Sequence, residues 1–168
     1  MKCMNKYLKH TLFIVIILMI IIAAFMLWPL SLREVLKNSS DMTVSLTSEQ
    51  TFSNKEDLEK TSNQKNSFTL QVNSVEYRKI MEILEDYSYH CNWNSFIPYR
   101  SFTGKGETLI LYTGNNGFII DAETGKVFVD KENEEHIYRV DYFGHRQTKQ
   151  LASRIKEVLT QSGYELSD

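Results

Sequence analysis

Hydrophobic residues are distributed very unevenly along this chain. Between Thr11 and Leu30 only Thr11 and Pro29 fall outside the strongly apolar set, and no charged residue interrupts the run. Twenty residues of α-helix span about 30 Å, the thickness of the hydrocarbon core of a bilayer. A helix that is apolar on every face has no side to present to water. The pattern therefore predicts a transmembrane helix over residues 11–30.

The charges beside this segment predict its orientation. Lys2, Lys6 and Lys9 precede it and no acidic residue does, and positive residues favour the cytoplasmic side of a membrane. Residues 1–10 are therefore expected in the cytoplasm, and the chain after residue 30 outside it. The alternative is a cleaved signal peptide, whose apolar run usually has about 7–15 residues and ends at small residues. Here large apolar residues follow the two alanines of the segment, which favours an uncleaved signal-anchor.

The segment after the apolar run is polar. Residues 31–66 are rich in Ser, Thr, Asn and Gln, a composition typical of a tether. Within it Met42, Val44 and Leu46 alternate with Thr and Ser, and this period of two predicts a strand over residues 42–47. Residues 67–168 are then expected to form the folded domain outside the membrane.

Beyond the tether, the pattern predicts two helices. Alternation at Phe68, Leu70 and Val72 indicates a strand, and Ser74 is a good N-cap for the helix that follows it. Gly163 is expected to end the second helix, near the C-terminus. The predicted apolar faces of the two helices consist of Val75, Ile80, Met81, Leu84 and Tyr87, and of Leu151, Ile155, Val158 and Leu159.

Between the two helices the pattern predicts a meander of hairpins. Hairpin-connected strands are antiparallel, and helices that pack on one face of such a sheet form a second layer. The expected fold is therefore α+β, a two-layer domain of antiparallel meander sheet with two helices packed on it. The predicted strands cover residues 107–113, 118–121, 126–130 and 136–143, with turns at Asn116-Gly117 and at residues 122–125.

Charge is as unevenly distributed as hydrophobicity. Residues 1–37 carry five basic residues and one acidic residue, a charge of +4, which leaves −6 for the remainder of a chain whose net charge is −2. An acidic domain repels phosphate backbones, so no nucleic acid is expected as a partner. The same sign discourages flat adhesion of the domain to an anionic membrane, and residues 11–30 are the expected membrane contact.

Cysteine and histidine positions do not match a metal site or a catalytic pair. Cys3 and Cys91 lie on opposite sides of the predicted transmembrane segment, so no disulfide between them is expected. Cys91 is expected to be a buried free thiol, with an intermolecular disulfide as the alternative. No Cys or His pair falls at the spacing of a zinc site, and the acidic residues at 130–135 lack the pattern of a calcium loop. No metal and no cofactor are expected.

An aromatic segment follows the first predicted helix of the domain. Aromatic side chains with a polar tip give a large contact area for little loss of entropy, so they are favoured where a surface holds a partner. The segment is the candidate partner surface, and the alternative is that it covers one end of the sheet. It consists of Tyr87, Tyr89, His90, Trp93, Phe96, Tyr99 and Arg100.

Three stretches between residues 67 and 160 carry a resemblance in layout to a known group. They are SVEYRKIMEILEDYSYH, which runs from Ser74 to His90, then GETLILYTGNNGFIIDAETGKVFVD, and LASRIKEVL in the final helix. The chain resembles small membrane-anchored or lipoprotein extracytoplasmic proteins of unknown function from Gram-positive bacteria. This resemblance implies a location at the cell envelope and supplies no catalytic residues.

These patterns together predict an interaction protein more readily than an enzyme. The expected function is that of a membrane-anchored extracytoplasmic domain, sensory, regulatory or immunity-like, that binds a protein or a small ligand at the cell envelope. One alternative is an envelope-associated enzyme that uses carboxylates such as Glu107 and Asp121, for which two acids must converge in a cleft. The other is a structural spacer whose membrane helix oligomerises.

Overall fold

The computed structural model describes most of the 168-residue chain. The described residues are 2–35, 42–48, 51–52, 67–92, 95, 102–103, 107–113, 116–131 and 134–164. The helices in these ranges are α1 (Lys2–Leu27), α2 (Leu32–Val35), α3 (Val75–Glu85) and α4 (Arg146–Gln161). The strands are β1 (Met42–Ser48), β2 (Thr51–Phe52), β3 (Ser67–Leu70), β4 (His90–Cys91), β5 (Phe102–Thr103), β6 (Glu107–Thr113), β7 (Asn116–Asp121), β8 (Lys126–Lys131) and β9 (Glu134–Arg139).

Helix α1 is long and apolar enough to cross a membrane. Its apolar part, Leu8–Leu27, has 20 residues, and none of them is buried against the rest of the protein. The helix ends at Leu27, three residues before the predicted limit at residue 30. The reason is Pro29, because a proline disfavours helical geometry in the residue that precedes it, here Trp28.

Seven strands form one antiparallel sheet in the order β3-β1-β6-β7-β8-β9-β4. The consecutive hairpins from β6 to β9 confirm the predicted meander. The predicted strand at residues 42–47 is also confirmed, but it lies inside the sheet, where Met42 pairs with both Leu70 and Thr113. The folded domain therefore begins before residue 67, the boundary that the polar composition suggested.

The turn between β6 and β7 does not lie at Asn116-Gly117, where the sequence predicted it. Thr113 pairs with Asn116 and Tyr112 pairs with Gly117, so Asn116 and Gly117 belong to the strand. Both Gly-Asn and Asn-Gly are pairs that tight hairpins favour, so the local signal was ambiguous. The pairing of β7 with both β6 and β8 fixes the register.

The main core lies between one face of the sheet and the two domain helices, α3 and α4. Alternate residues of β6, β7 and β8 point to this face, as the period of two requires. The sheet contributes Leu109, Leu111, Phe118, Ile120, Val127 and Val129, and the helices contribute Ile80, Leu84, Leu151, Ile155 and Leu159. The predicted α+β fold with helices packed on the sheet is therefore confirmed.

The opposite face of the central strands is buried as well. Ile110, Ile119, Phe128 and Ile137 are at most 7% exposed, and each pairs with the next across β6, β7, β8 and β9. Strands that are buried on both faces lose the alternation of polar and apolar residues. This is the reason why β7 contains the continuous apolar run from Phe118 to Ile120.

One residue of the predicted face of α3 is misplaced. Val75 is 52% exposed, whereas Tyr77 and Ile83 are buried with Ile80 and Leu84. At 3.6 residues per turn, Val75 lies about 140° around the helix from Ile80 and so points away from the core. The buried face is centred on Ile80 and Leu84, and Tyr77 belongs to it.

Both predicted helix ends are confirmed. The Tyr77 N–H donates a hydrogen bond to Ser74 Oγ at 3.1 Å, so Ser74 caps α3. Gly163 has φ +82° and its N–H donates to the Thr160 carbonyl at 3.0 Å. A left-handed glycine after the last turn is a common way to end a helix, because glycine adopts positive φ without steric cost.

We expect Gly125→Ala to destabilise the fold more than Gly163→Ala. Both glycines have positive φ, but a Cβ at Gly125 would lie 2.8 Å from the His145 Cβ, whereas a Cβ at Gly163 would meet nothing within 4 Å. The backbone conformation alone costs about 1–2 kcal/mol, and overpacking adds about 1–3 kcal/mol at Gly125. Denaturant unfolding of the full chain in detergent measures both variants. Equal losses of unfolding free energy in the two variants would contradict the close approach of the turn at residues 122–125 to Gly144 and His145.

Candidate functional site at the end of helix α1

The chain that leaves α1 is joined to the domain through backbone hydrogen bonds. The Leu30 N–H donates to the Tyr89 carbonyl at 2.8 Å, and the Tyr89 N–H donates to the Leu30 carbonyl at 3.0 Å. Leu32 and Val35 of α2 follow, and each is 2% exposed within the core. These contacts fix the end of α1 beside the edge strand β4.

A tyrosine from the C-terminal part of the domain also contacts the end of α1. The Tyr142 O–H donates to the Leu27 carbonyl at 3.1 Å. Leu27 is the last residue of α1, and the last carbonyls of a helix have no partner inside the helix. Tyr142 therefore satisfies one of the polar groups that the helix end leaves open.

The His90 ring packs against the Tyr142 ring. The two rings are 4.0 Å apart between centroids with an interplanar angle of 31°, and His90 is 5% exposed. Burial lowers the pKa of His90 below its usual value, although hydrogen bonds with the backbone at Trp28 and Leu27 act in the opposite direction. The Nδ1 atom of His90 has no hydrogen-bond partner among the described residues. The imidazole is thus a buried group, neutral at neutral pH, with one unused polar atom.

A cleft of about 410 Å³ opens at this junction. Its walls come from the end of α1, from the connection between α3 and β4, and from the chain between β9 and the first turns of α4. Its volume falls within the range of about 300–1,000 Å³ that is usual for small-molecule sites. The lining residues are Pro29, Asp86, Tyr87, Ser88, His90, Val140, Tyr142, Gln147 and Gln150.

An ion pair holds the wall that α3 provides. Arg154 Nη2 of α4 lies 2.7 Å from Asp86 Oδ2, and the Arg154 guanidinium lies 5.8 Å from the centroid of the Tyr87 ring. Both groups are partly exposed, so the pair contributes little to stability on its own. Its effect is positional, because one arginine fixes the end of α3 and the Tyr87 ring against α4.

The wall that α4 provides is positioned by a buried carboxylate. Asp141 accepts hydrogen bonds from the Gln147 N–H at 2.8 Å and from the N–H and the hydroxyl of Thr148 at 3.0 and 2.9 Å. Burial would raise the pKa of Asp141, but these hydrogen bonds, with the nearby charge of Arg139, prevail and lower it. His145, which precedes the helix, makes no capping bond with its side chain. Asp141 thus replaces it as the cap.

Only part of the candidate partner surface can be placed. Tyr87 and His90 line the cleft. Tyr89 is 0% exposed, its hydroxyl donates to the Leu84 carbonyl at 2.9 Å, and its ring packs edge-on against Phe118. Tyr89 is therefore a core residue with no surface for a partner. The remaining members, Trp93, Phe96, Tyr99 and Arg100, lie outside the described residues.

The sequence did not single out the α4 side of the cleft. Tyr142 falls within the strand predicted over residues 136–143, but β9 ends at Arg139. Gln147 and Gln150 carry no local signal, because glutamine on an amphipathic helix normally lies in solvent. An indication was available at Asp141, since an Asp shortly before a helix start is a frequent cap.

The remaining residues with possible chemical roles are Cys91, Asp121 and Glu107. Cys91 is a free, half-buried thiol; burial raises its pKa, and a hydrogen bond with the Ser95 side chain acts against this. Both carboxylate oxygens of Asp121 accept hydrogen bonds within the turn at residues 122–125, from Glu123 and Thr124. The side chain of Glu107 lies outside the described part. Among the described residues, no three His, Cys, Asp or Glu side chains form a group that could hold a metal ion.

No protein-family model, curated protein or solved structure matches this chain. The resemblance to small envelope proteins of Gram-positive bacteria therefore stays a prediction. Support for a function comes from the geometry of the cleft.

We expect the unfolding free energy to fall as pH drops below about 6.5 because of His90. The pKa of His90 is lowered in the folded state, so the unfolded chain binds more protons at pH values between the folded pKa and the ordinary value of about 6.5. The contribution of neutral His90 to the stability of the folded state is therefore full above this pH interval, and it is lost as the pH falls through the interval. Denaturant midpoints from about pH 5 to about pH 8 should show this decline in the His145→Gln control and a smaller one in His90→Phe. Identical pH profiles for the two variants would rule out His90 as the source.

Asp141→Ala should lower the unfolding free energy by about 2 kcal/mol, because it removes a cap and leaves buried N–H groups without a partner. Glu123→Ala is the control, since it removes the same charge from an exposed position and should cost less than about 0.5 kcal/mol. The pKa of Asp141 is lowered in the folded state, so its contribution is present above the unfolded pKa of about 3.9 and is lost as pH falls through the folded value. A difference between the two variants that vanished at neutral pH would contradict this role.

Proposed function

We propose that this chain is a membrane-anchored binding protein whose α+β domain lies outside the cytoplasm and takes up a small polar ligand in the cleft at the end of α1. The observation that carries the proposal is His90: it lines the cleft, is almost fully buried, and has an Nδ1 atom with no partner among the described residues. A buried polar atom without a hydrogen bond costs about 1–3 kcal/mol. A ligand that reaches this atom removes the cost.

The other lining groups favour a ligand that has both hydrogen-bond donors and acceptors. Gln147 and Gln150 each offer an amide, Ser88 offers a hydroxyl and Asp86 a carboxylate. The rings of Tyr87 and Tyr142 provide flat apolar walls. Sites with apolar walls and a few converging polar groups are typical of small-molecule binding. Molecules with hydroxyl, amide or amino groups, such as sugars and amino acids, have this chemistry.

The position of the cleft supports a sensory or regulatory role. Pro29 lies in its wall and Tyr142 donates to the carbonyl of Leu27, so a bound molecule contacts groups that also hold the end of α1. A ligand changes an equilibrium only if it binds two states with different affinity. A ligand that contacts both the end of α1 and the domain binds more tightly when the two are joined than when they are separated. Its binding therefore favours the joined arrangement.

The charges around α1 support the orientation. Lys2, Lys6 and Lys9 precede the apolar helix without any acidic residue, and such a bias keeps the short N-terminus in the cytoplasm. The domain then lies on the outer side, at the cell envelope, in agreement with the resemblance to Gram-positive extracytoplasmic proteins. The enzymatic alternative has less support, because the oxygens of Asp121 are used within its own turn.

A ligand screen on the full chain in nanodiscs tests the proposal. Amino acids, dipeptides and monosaccharides are tested for an increase in melting temperature, and each compound that raises it is titrated by calorimetry. Ser88→Trp places an indole at the mouth of the cleft and should weaken binding at least tenfold, about 1.4 kcal/mol. Gln161→Trp adds the same side chain at the exposed end of α4, and it should leave affinity unchanged.

Two results would contradict the proposed site. The first is a ligand whose affinity is the same for the wild-type chain and for Ser88→Trp. The second is a screen in which no compound raises the melting temperature, since a bound ligand must stabilise the folded state it prefers. In the second case, cross-linking in cells with the Ser88→Trp and Gln161→Trp variants would test a protein partner instead.

A further inference from the structure

We infer that the loop between β9 and α4 makes a second contact with the membrane, in which Phe143 enters the interfacial layer of the bilayer beside the end of α1. The loop comprises residues 140–145. This inference rests on the proposed insertion of α1 in a membrane and adds a lipid-binding surface on the domain itself.

Phe143 is exposed to an unusual degree. Its side chain is 92% exposed, and the neighbouring Tyr142 is 47% exposed. Among the residues after Trp28 whose side chains are described, the only other exposed large hydrophobic one is Val75. Leaving a phenylalanine in water instead of burying it forgoes about 1.5–3 kcal/mol. Adjacent exposed aromatic residues on an otherwise well-packed domain indicate a contact surface.

The position of the loop indicates what the surface contacts. Tyr142 donates to the carbonyl of Leu27, the last residue of the segment that is able to cross a membrane. Phe143 follows Tyr142 directly, and consecutive Cα atoms are about 3.8 Å apart. The headgroup region adds about 5–8 Å to each side of the hydrocarbon core. With α1 in a bilayer, the Tyr142 hydroxyl lies at the edge of this layer, and the inference places the adjacent Phe143 in it together with Trp28, which is 66% exposed.

The loop is held in place, so that Phe143 is presented without further ordering. Arg139 Nη2 donates to the Gly144 carbonyl at 2.9 Å, and Gly144 has φ +78°. Asp141 is hydrogen-bonded to the first turn of α4, and the Tyr142 ring packs at a tilt against the His90 ring. A surface that is ordered before binding loses less entropy when it binds.

The charges near Phe143 fit an anionic or zwitterionic lipid surface. His145, Arg146 and Lys149 are exposed on the loop and the first turn of α4, whereas the acidic residue of the loop, Asp141, is buried and hydrogen-bonded. The domain is acidic as a whole, but this end carries basic groups. Basic residues around an aromatic anchor are the pattern of interfacial membrane contacts.

Photo-cross-linking of the full chain in nanodiscs tests this inference. The photoreactive analogue p-benzoylphenylalanine replaces Phe143 in one sample, Trp28 in a second and Val75 in a third. The nanodiscs contain phosphatidylcholine and phosphatidylglycerol, and lipid adducts are measured by mass spectrometry after irradiation. Val75 is the matched control, because it is 52% exposed and lies at the opposite end of α3 from the cleft. All three sites are exposed, so the substitution leaves the core intact.

We expect lipid adducts at positions 28 and 143, at least fivefold above the yield at position 75. Adducts at position 28 without adducts at position 143 would overturn the second membrane contact and leave the anchor in place. Absence of adducts at position 28 would overturn the insertion of α1 itself. Equal yields at positions 75 and 143 would show unspecific collision with lipid and would also overturn the inference.

Discussion

The open backbone groups at the end of α1 are the constraint on which the rest of this arrangement depends. A helix leaves its last carbonyls without internal partners, and here the domain supplies partners for the chain at this end. Tyr142 donates to Leu27, and Leu30 exchanges two backbone hydrogen bonds with Tyr89. These partners come from the loop before α4 and from Tyr89, the residue before β4, which are far apart in the chain. The pairing of β4 with β9 already places them side by side, and the end of α1 packs against both, so that the cleft lies where the three meet.

Inside the domain, the meander gains stability from burial on both faces. The helices cover one face, and the row from Ile110 to Ile137 is buried on the other. Each of the two domain helices begins at a polar cap: Ser74 caps α3 with one hydrogen bond, and the Asp141 carboxylate caps α4 with three. A rigid sheet with capped helices is a suitable support for a binding site, because the lining groups keep their positions without a ligand.

The cleft and the exposed loop share the residue Tyr142. Its ring covers His90, its hydroxyl holds the end of α1, and its neighbour Phe143 is the proposed membrane contact. In the proposed arrangement, the domain is attached to the bilayer by α1 and touches it again at Phe143. The cleft lies next to Tyr142, between the end of α1 and the domain helices. In this proposal, a bound ligand changes how the domain lies against the membrane without a large change of fold. Such a coupling needs only a difference in ligand affinity between two positions of the domain relative to the membrane.

The sequence by itself determined the fold class and the longer elements, whereas the short elements α2, β2, β4 and β5 were not predicted. The apolar run of α1, the alternation in β1, the apolar strands and turn residues between β6 and β9, and the caps at Ser74 and Gly163 are local patterns, so each is readable without the structure. Val75 was misplaced because a short helix gives few positions from which to find its apolar face. The turn at Asn116-Gly117 was misplaced because two overlapping pairs suit the same hairpin.

Only the tertiary structure decided where the elements meet. The place of β1 between β3 and β6 follows from long-range pairing, and a polar composition around it concealed that it belongs to the sheet. The candidate site was predicted in part, through Tyr87 and His90, whereas Tyr142, Gln147 and Gln150 were missed. Tyr142 and Leu27 are 115 residues apart in the chain. A hydrogen bond across such a separation depends on the packing of the whole domain, and no pattern of neighbouring residues encodes it.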